Sequence, residues 1–312
     1  MVSVLVTGGA GFIGSHVVDL LVEQGYDIAV IDDLSHGFRQ YVNPRASFHK
    51  VDICERKALD DVFKKEKPDY VIHQAAHIDV RKSLLDPGRD AQINIVGSVN
   101  LLECCQRHNI KKFVFASTGG AIYGEPKNLP AKEATPEMPM SPYGVSKLAF
   151  EKYLNMYNRL YGLDYVSLRY ANVYGPRQDP LGEAGVIAIF TRQLLEGGKP
   201  QINGDGKQTR DFVYVGDVAK ANLKALKNKT EHKIFNIGTG AQTSVNEIYS
   251  ILSKKTGSET KANHVNEIQG EVRNISLDYA LARKELGWKP QTKLESGLEQ
   301  TMKWFQGKNT PK

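Results

Sequence analysis

The sequence predicts an α/β fold, a doubly wound parallel sheet followed by a smaller α/β lobe. Three observations predict it. Short apolar runs alternate with stretches of helical apolar spacing through the first half, as in strands that pair in parallel and are covered on both faces. The first apolar run ends in a cluster of glycines that opens a helix. After about residue 170 Pro, Gly and short polar loops multiply, and the chain reads as a lobe laid over the carboxyl edge of the sheet. The expected boundaries are 1–170 for the sheet domain, with a return near 213–228, and 171–312 for the lobe.

The elements follow in order. Val2–Thr7 is the first strand, and Ile13–Gln24 carries helical spacing at Val17, Leu20 and Leu21. Ile28–Asp32, Phe48–Val51, Tyr70–His73, Phe113–Ala116 and Tyr165–Leu168 read as further buried strands. Helices are expected near Ala58–Lys65, Ala91–Arg107 and Pro142–Tyr161. In the second half Ser244-Val245-Asn246-Glu247 is a capping box before an apolar helix.

Composition narrows the class. With 41% hydrophobic and 24% charged residues, disorder is excluded as the main state. No run approaches the roughly 18 apolar residues of a membrane span. The net charge of +6 is scattered without a Lys/Arg block, which reads as solubility and argues against a nucleic-acid surface, while a small anionic ligand such as a nucleotide could use a few of the charges. The N-terminus has no secretory pattern and the three cysteines suggest no disulfide framework, so a reducing cytoplasm is expected.

The turn Thr7-Gly8-Gly9-Ala10-Gly11-Phe12-Ile13-Gly14 satisfies G-x-G-x-x-G and G-x-x-G-x-x-G. Glycines there permit a tight turn and close approach of backbone to a pyrophosphate, at which the helix beginning near Phe12 and Ile13 points its amides. The second strand ends in Asp32, 18 residues past Gly14. A carboxylate there accepts from an adenosine ribose and repels a 2′-phosphate, which favours NAD over NADP. These features make the sheet Rossmann-type. Asp33 is either a further contact or a turn residue; Asp52 and Ile53 either flank the adenine or simply turn the chain.

Tyr143 and Lys147 stand at i, i+4 on a helix that Ser141 caps and Pro142 begins. A tyrosine ordinarily titrates near ~10, and a neighbouring ammonium and a cationic nicotinamide both favour its phenolate. Ser117 and Thr118 follow a buried strand, where a hydroxyl reaches the switch-point crevice of the sheet.

Taken together, Thr7–Ser15, Asp32, Val71–Ala76, Asn94, Ser117–Gly124, Tyr143–Lys147, Leu168–Gln178, Arg210-Asp211-Phe212, Phe235–Gly240 and Leu286-Gly287-Trp288 resemble the extended short-chain dehydrogenases/reductases over nearly the whole chain. Within that group the chain is similar to the NAD-dependent nucleotide-sugar 4-epimerases of the UDP-glucose type. The resemblance implies retained NAD, held also by Gln74, Ala75, Ala76 and Asn94, and inversion at C4 of a UDP-sugar through a 4-keto intermediate. Tyr143 would be the base, with Lys147 on the nicotinamide ribose and Thr118 or Ser117 on the reacting oxygen. Related dehydratases and decarboxylases carry an acid where this chain has Gly119-Gly120-Ala121, which argues for epimerisation. UDP-N-acetylhexosamine and UDP-uronate remain alternative substrates, and a nucleotide-sugar dehydratase or decarboxylase, or a non-catalytic NAD-binding regulator, remain alternatives of another class.

The resemblance also implies a substrate side of Asn172, Arg210 and Arg273 on the diphosphate, and Val186 and Gln201 near the base. A gate for C2 substituents falls near Ile275, and Arg177 is expected to be structural or on the rim. His73 reads as a strand residue and His77 as a lining of the sugar site, with no metal site. A homodimer is implied, through 91–107 and 142–161, with Phe150, Leu154 and Tyr157 as contacts or as residues packed on the sheet.

Overall fold

The computed structural model of the chain describes residues 2–181, 185–267 and 272–307. The chain enters mid-sheet with β1 (Ser3–Thr7), whose Val4, Leu5 and Val6 are buried because both faces are covered. α1 (Phe12–Glu23) returns the chain, and β2 (Asp27–Asp32) pairs parallel to β1 with Ser3 opposite Asp27. β3 (Ser47–Lys50) extends that side. After α2 (Arg56–Glu66), β4 (Tyr70–His73) joins the other side of β1. That reversal between β1 and β4 is the switch point at which open α/β sheets bind ligands.

The helix expected near Ala91–Arg107 is present but starts earlier and contains a π-turn: α3 (Val80–Leu85), α4 (Pro87–Ala91), a π-helical turn at Gln92–Gly97 and α5 (Ser98–Arg107) follow one another. Asp79 and Asp86 cap α3 and α4, and Pro87 opens the latter, which sets the earlier start. β5 (Lys112–Thr118) leads to the short α6 (Gly119–Ile122), then to α7 (Pro142–Tyr161) and β6 (Asp164–Tyr170). The hydroxyl of Ser141 accepts from the Gly144 amide at 3.2 Å, the cap expected for α7.

The second half begins with β7 (Asn172–Tyr174), α8 (Val186–Leu195), β8 (Gln201–Asn203), β9 (Thr209–Arg210) and β10 (Phe212–Tyr214). α9 (Val215–Lys227) returns to pack on α1, and β11 (Ile234–Ile237) becomes an edge of the main sheet against β6. β12 (Thr243–Ser244), α10 (Val245–Thr256), β13 (Asn263–Val265), a π-helical turn at Ala282–Leu286 and α11 (Leu294–Gln306) follow. The main sheet runs β11-β6-β5-β4-β1-β2-β3, all parallel.

Alternation along β1 divides the core. Val4 and Val6 face the layer of Val17, Leu21 and Val218; Leu5 faces the layer of Leu59, Leu101 and Phe113. A third cluster, with Ile187, Phe190, Ile248 and Leu298, sits among α8, α10 and α11. Phe150, Leu154 and Tyr157 lie in the Phe113 layer, packed on the sheet, one of the two roles expected for them. Among the described residues no helix is long and apolar enough to cross a membrane.

Candidate active site

The glycine turn is closed from within and open outward. Gly8 has φ +69°, and a Cβ on it would lie 2.6 Å from the Ala75 amide nitrogen. A Cβ on Gly14 would lie 2.1 Å from the Gly8 carbonyl oxygen. By contrast, a Cβ on Gly11 would meet only that oxygen, at 3.2 Å. The first helical amides, of Phe12, Ile13 and Gly14, have no acceptor among the described residues. Asp32 is buried and clasps the turn, accepting from Ala10 at 3.0 Å and from Leu34 at 2.9 Å. Burial pushes its carboxyl up. Two of about four lone-pair directions of that carboxylate are thus used, and the rest suit ribose hydroxyls.

Asp33 accepts from the Ser35 amide and hydroxyl in an exposed turn. Asp52 accepts from the Cys54 amide at 2.8 Å, while Ile53 is buried against Gly97. The Gln74 side-chain amide donates to Tyr170 Oη (3.1 Å) and Asn222 Oδ1 (3.0 Å). The Ala75 amide donates to Thr7 Oγ1, and Ala76 continues the same segment. Asn94 is buried, and its head group is given to the protein: Nδ2 donates to the His77 carbonyl and Asp90, and Oδ1 accepts from the His77 amide. His73 lies between Thr7 and Ser98, and burial holds its ring neutral.

Tyr143 and Lys147 share the first turns of α7, the Lys147 Nζ lying 5.9 Å from the Tyr143 ring centroid. The Tyr143 amide donates to Ser83 Oγ at 3.3 Å, which docks α3 on this turn. Lys147 is buried, 4.7 Å over the Phe115 ring, and donates to the Ala116 carbonyl at 2.8 Å. Two of its three N–H donors are left for a ligand. Burial pushes Lys147 down to about 7, with the Asp90 and then Glu151 charges opposing.

The structure separates the two candidate hydroxyls, because adjacent strand residues face opposite sides of a sheet. Ser117 is buried and donates to Glu151 Oε1 at 2.6 Å, so it is corrected from a candidate catalytic group to part of the wall. Glu151 also accepts from Ser167 and twice from Arg169, which is 0% exposed. Thr118 stays half-buried, facing the crevice side. A Cβ on Gly120 would lie 3.9 Å from Thr118 Oγ1 and 3.8 Å from Asn172 Oδ1, so both converge on that turn. The Asn172 oxygen is buried without a partner among the described residues.

Arg210 and Arg273 come together although 63 residues separate them, with Arg210 Nη1 donating to the Arg273 carbonyl at 3.3 Å. Arg273 pairs with Asp205 at 2.8 Å; Gly270 and Glu271, which precede it, lie outside the described residues. Asp211 is buried and gathers the amides of Thr239, Gly240 and Leu277 behind this strand. Val186 opens α8 after Gly185, and Gln201 is exposed on β8. Ile275 is core, packed with Leu277, rather than a gate. Arg177 is structural: it pairs with Asp19 of α1 at 2.7 Å. His77 keeps a buried, unpartnered Nδ1.

Two residues of this site were absent from the sequence-based list. Asp90 and Glu151 each stand four residues from a named candidate, Asn94 and Lys147, and that i, i+4 spacing is the signal that could have found them.

Comparison with known proteins gives the geometry its context. A putative UDP-glucose 4-epimerase of Methanocaldococcus jannaschii is 51% identical over 306 residues, 98% of this chain and 99% of its own. The crystal structure of a Thermotoga maritima UDP-glucose 4-epimerase with UDP-glucose superposes with a TM-score of 0.96 at 48% identity, covering 98% of this chain and 99% of that one. A Thermus thermophilus UDP-glucose 4-epimerase in complex with NAD gives 0.93 at 42% identity, covering 98% and 99%. The family model for NAD-dependent epimerases/dehydratases matches residues 4–238, which span the glycine turn, the α7 pair and the Arg210 strand. A turn built to accept a dinucleotide phosphate, a tyrosine–lysine pair beside it and this match agree: the chain belongs to the NAD-dependent epimerase/dehydratase family.

Proposed function

We propose that this chain interconverts C4 epimers of a UDP-sugar, UDP-glucose and UDP-galactose first among them, with Tyr143 as the base. The observation that carries the reading is the Tyr143–Lys147 pair on one face of α7, beside a Thr118 hydroxyl left available and a turn without an acid. A Cβ on Gly119 would lie 2.4 Å from the Leu277 side chain, so a larger residue there would have to displace Leu277.

NAD fits the residues present: free helix amides for its phosphates, the Asp32 carboxylate for one ribose and the spare Lys147 donors for the other. When bound, it supplies the redox half of the cycle by accepting a hydride from the sugar C4 and returning it. Tyr143 removes the proton of the 4-hydroxyl and later restores it. The Lys147 ammonium favours the phenolate that does this. Thr118 donates a hydrogen bond to the same oxygen and fixes it against Tyr143. The neutral 4-keto sugar presents its second face before the proton returns. Arg210 and Arg273 hold the diphosphate while the sugar turns, with Asn172 beside them and Val186 and Gln201 toward the base.

The expected return at 213–228 extends further, because β11 also joins the main sheet; the Rossmann-type part, 1–170 with α9 and β11, holds the dinucleotide and the rest holds most of the UDP-sugar. α7 exposes Val145, Tyr153, Met156, Leu160 and Tyr161, an apolar row that supports a homodimer through that helix. Three unpaired cysteines support a cytoplasmic setting.

The test is conversion of UDP-galactose, UDP-N-acetylgalactosamine and UDP-galacturonate by the purified protein, with Tyr143→Phe alongside. Tyr143→Phe should keep NAD and lose about 10²–10⁴ in kcat. Full turnover by that variant, or no conversion of any of the three with NAD supplied, refutes the reading. Release of water or carbon dioxide would favour a lyase.

A further inference from the structure

Asp90 is a fully buried carboxylate in α4 whose hydrogen-bond donors are both neutral. Ser146 Oγ of α7 donates to its Oδ2 at 2.6 Å, and Asn94 Nδ2 donates to its Oδ1 at 3.0 Å. A carboxylate without water or a bonded cation is costly to bury, and a buried charge is ordinarily paired. The Ser146 bond brings it against the turn of α7 that carries Lys147, the next residue, and its charge acts on that buried ammonium.

The other groups around Lys147 cannot take that part. On α7, Glu151 is committed to Arg169 through both of its oxygens, at 3.0 and 2.6 Å, and Tyr143 presents its ring. From β4, His73 is neutral. From β5 come the Phe115 ring and the Ala116 carbonyl, and from α3 the uncharged Ser83. The charge of Asp90 is therefore the one not already neutralised by an arginine.

The same carboxylate also sets backbone. Asn94, held by Asp90, brackets the His77 amide and carbonyl at 2.8 Å each, and His77 ends the segment that begins at Gln74. Ser146 ties α7 to the same point.

We infer that Asp90 is a positioning residue for this site: it locks α7 against the segment at His77 and supplies the uncompensated negative charge that keeps Lys147 an ammonium. The kinetic arm of the test rests on the proposed epimerase activity; the spectroscopic arm does not.

The experiment is a 13Cε-lysine NMR titration of the whole protein, with the Lys147 resonance identified by its loss in Lys147→Met. Burial, which pushes Lys147 down to about 7, should set its titration apart from that of surface lysines in the parent. Asp90→Asn, or Asp90→Ser where asparagine is not tolerated, should lower the midpoint by about one unit. Ser146→Ala keeps the charge and should leave the midpoint in place. A neutral variant whose Lys147 midpoint equals or exceeds the parent's overturns the inference, as does Ser146→Ala moving it as far as Asp90→Asn. In turnover, Asp90→Asn should lose about fivefold more kcat at pH 8 than at pH 6 with KM held. A parent without epimerase activity refutes the proposed function and leaves the titration to decide this inference.

Discussion

Gly14→Ala tests the glycine turn. The new Cβ would lie 2.1 Å from the Gly8 carbonyl oxygen, 2.8 Å from the Gly8 carbonyl carbon and 3.0 Å from Gly9 Cα. All three are backbone atoms that no rotamer change can move, so α1 and the turn must part by about 1 Å. In an open helix the same substitution would stabilise by about 1 kcal/mol, because alanine is the better helix former. Overpacking costs about 1–3 kcal/mol, and more where backbone must shift. The net expectation is a loss of about 2 kcal/mol, a few degrees in Tm for a chain of this size. The same displacement carries the Phe12 and Ile13 amides off any phosphate they hold, so retained NAD should fall at least about tenfold. Gly25→Ala is the control: φ is +81° but nothing lies within 4 Å of its Cβ, so it carries only local backbone strain and should keep NAD. Thermal melting and the NAD released on denaturation read both effects. A Gly14→Ala protein with parental NAD and an equal or higher Tm would refute the close-packing argument.

Two further predictions separate positions that the sequence left together. Thr118→Ala should lower kcat about a hundredfold at nearly unchanged Tm, the scale for losing one donor to a reacting oxygen. Ser117→Ala should cost about 1 kcal/mol of stability through the lost Glu151 hydrogen bond and leave kcat within a few-fold; exchanged outcomes would reverse the assignment. His16 of α1 bonds the Pro176 carbonyl at 2.9 Å, and burial holds it down at about 4. The unfolded chain then binds the extra proton between about 6.5 and 4, so stability present above 6.5 is lost as pH falls through that window, by up to about 3 kcal/mol. Urea unfolding at pH 7.5 and 4.5 should show this loss reduced in His16→Gln; parallel curves for the two proteins would count against it.

Tyr70–His73 and Pro142–Tyr161 have in the structure the bounds their sequence implies, because burial on both faces and a Ser-Pro helix start are local signals. The edge strand β11 is different: four residues after a long excursion carry no local cue for joining a sheet begun two hundred residues earlier. The helix expected near 91–107 is there, but its start at Pro87 and its π-turn at Gln92–Gly97 carry no periodic cue, for the buried Asp90 and Asn94 in this stretch answer to α7 and His77.

The same division runs through the site. The glycine spacing, Asp32 at the end of β2 and the i, i+4 pair Tyr143/Lys147 were determined by sequence alone, since each depends on the geometry of one turn or one helix. Which of Ser117 and Thr118 faces the crevice depended on a strand's phase against Glu151, which only packing fixes. Arg210 and Arg273 became neighbours, Ile275 became core and the charge of Asp90 came to act on Lys147 through contacts between distant segments. Local stereochemistry is written in adjacent residues, whereas burial and the pairing of charges belong to surfaces that exist only once the chain has folded.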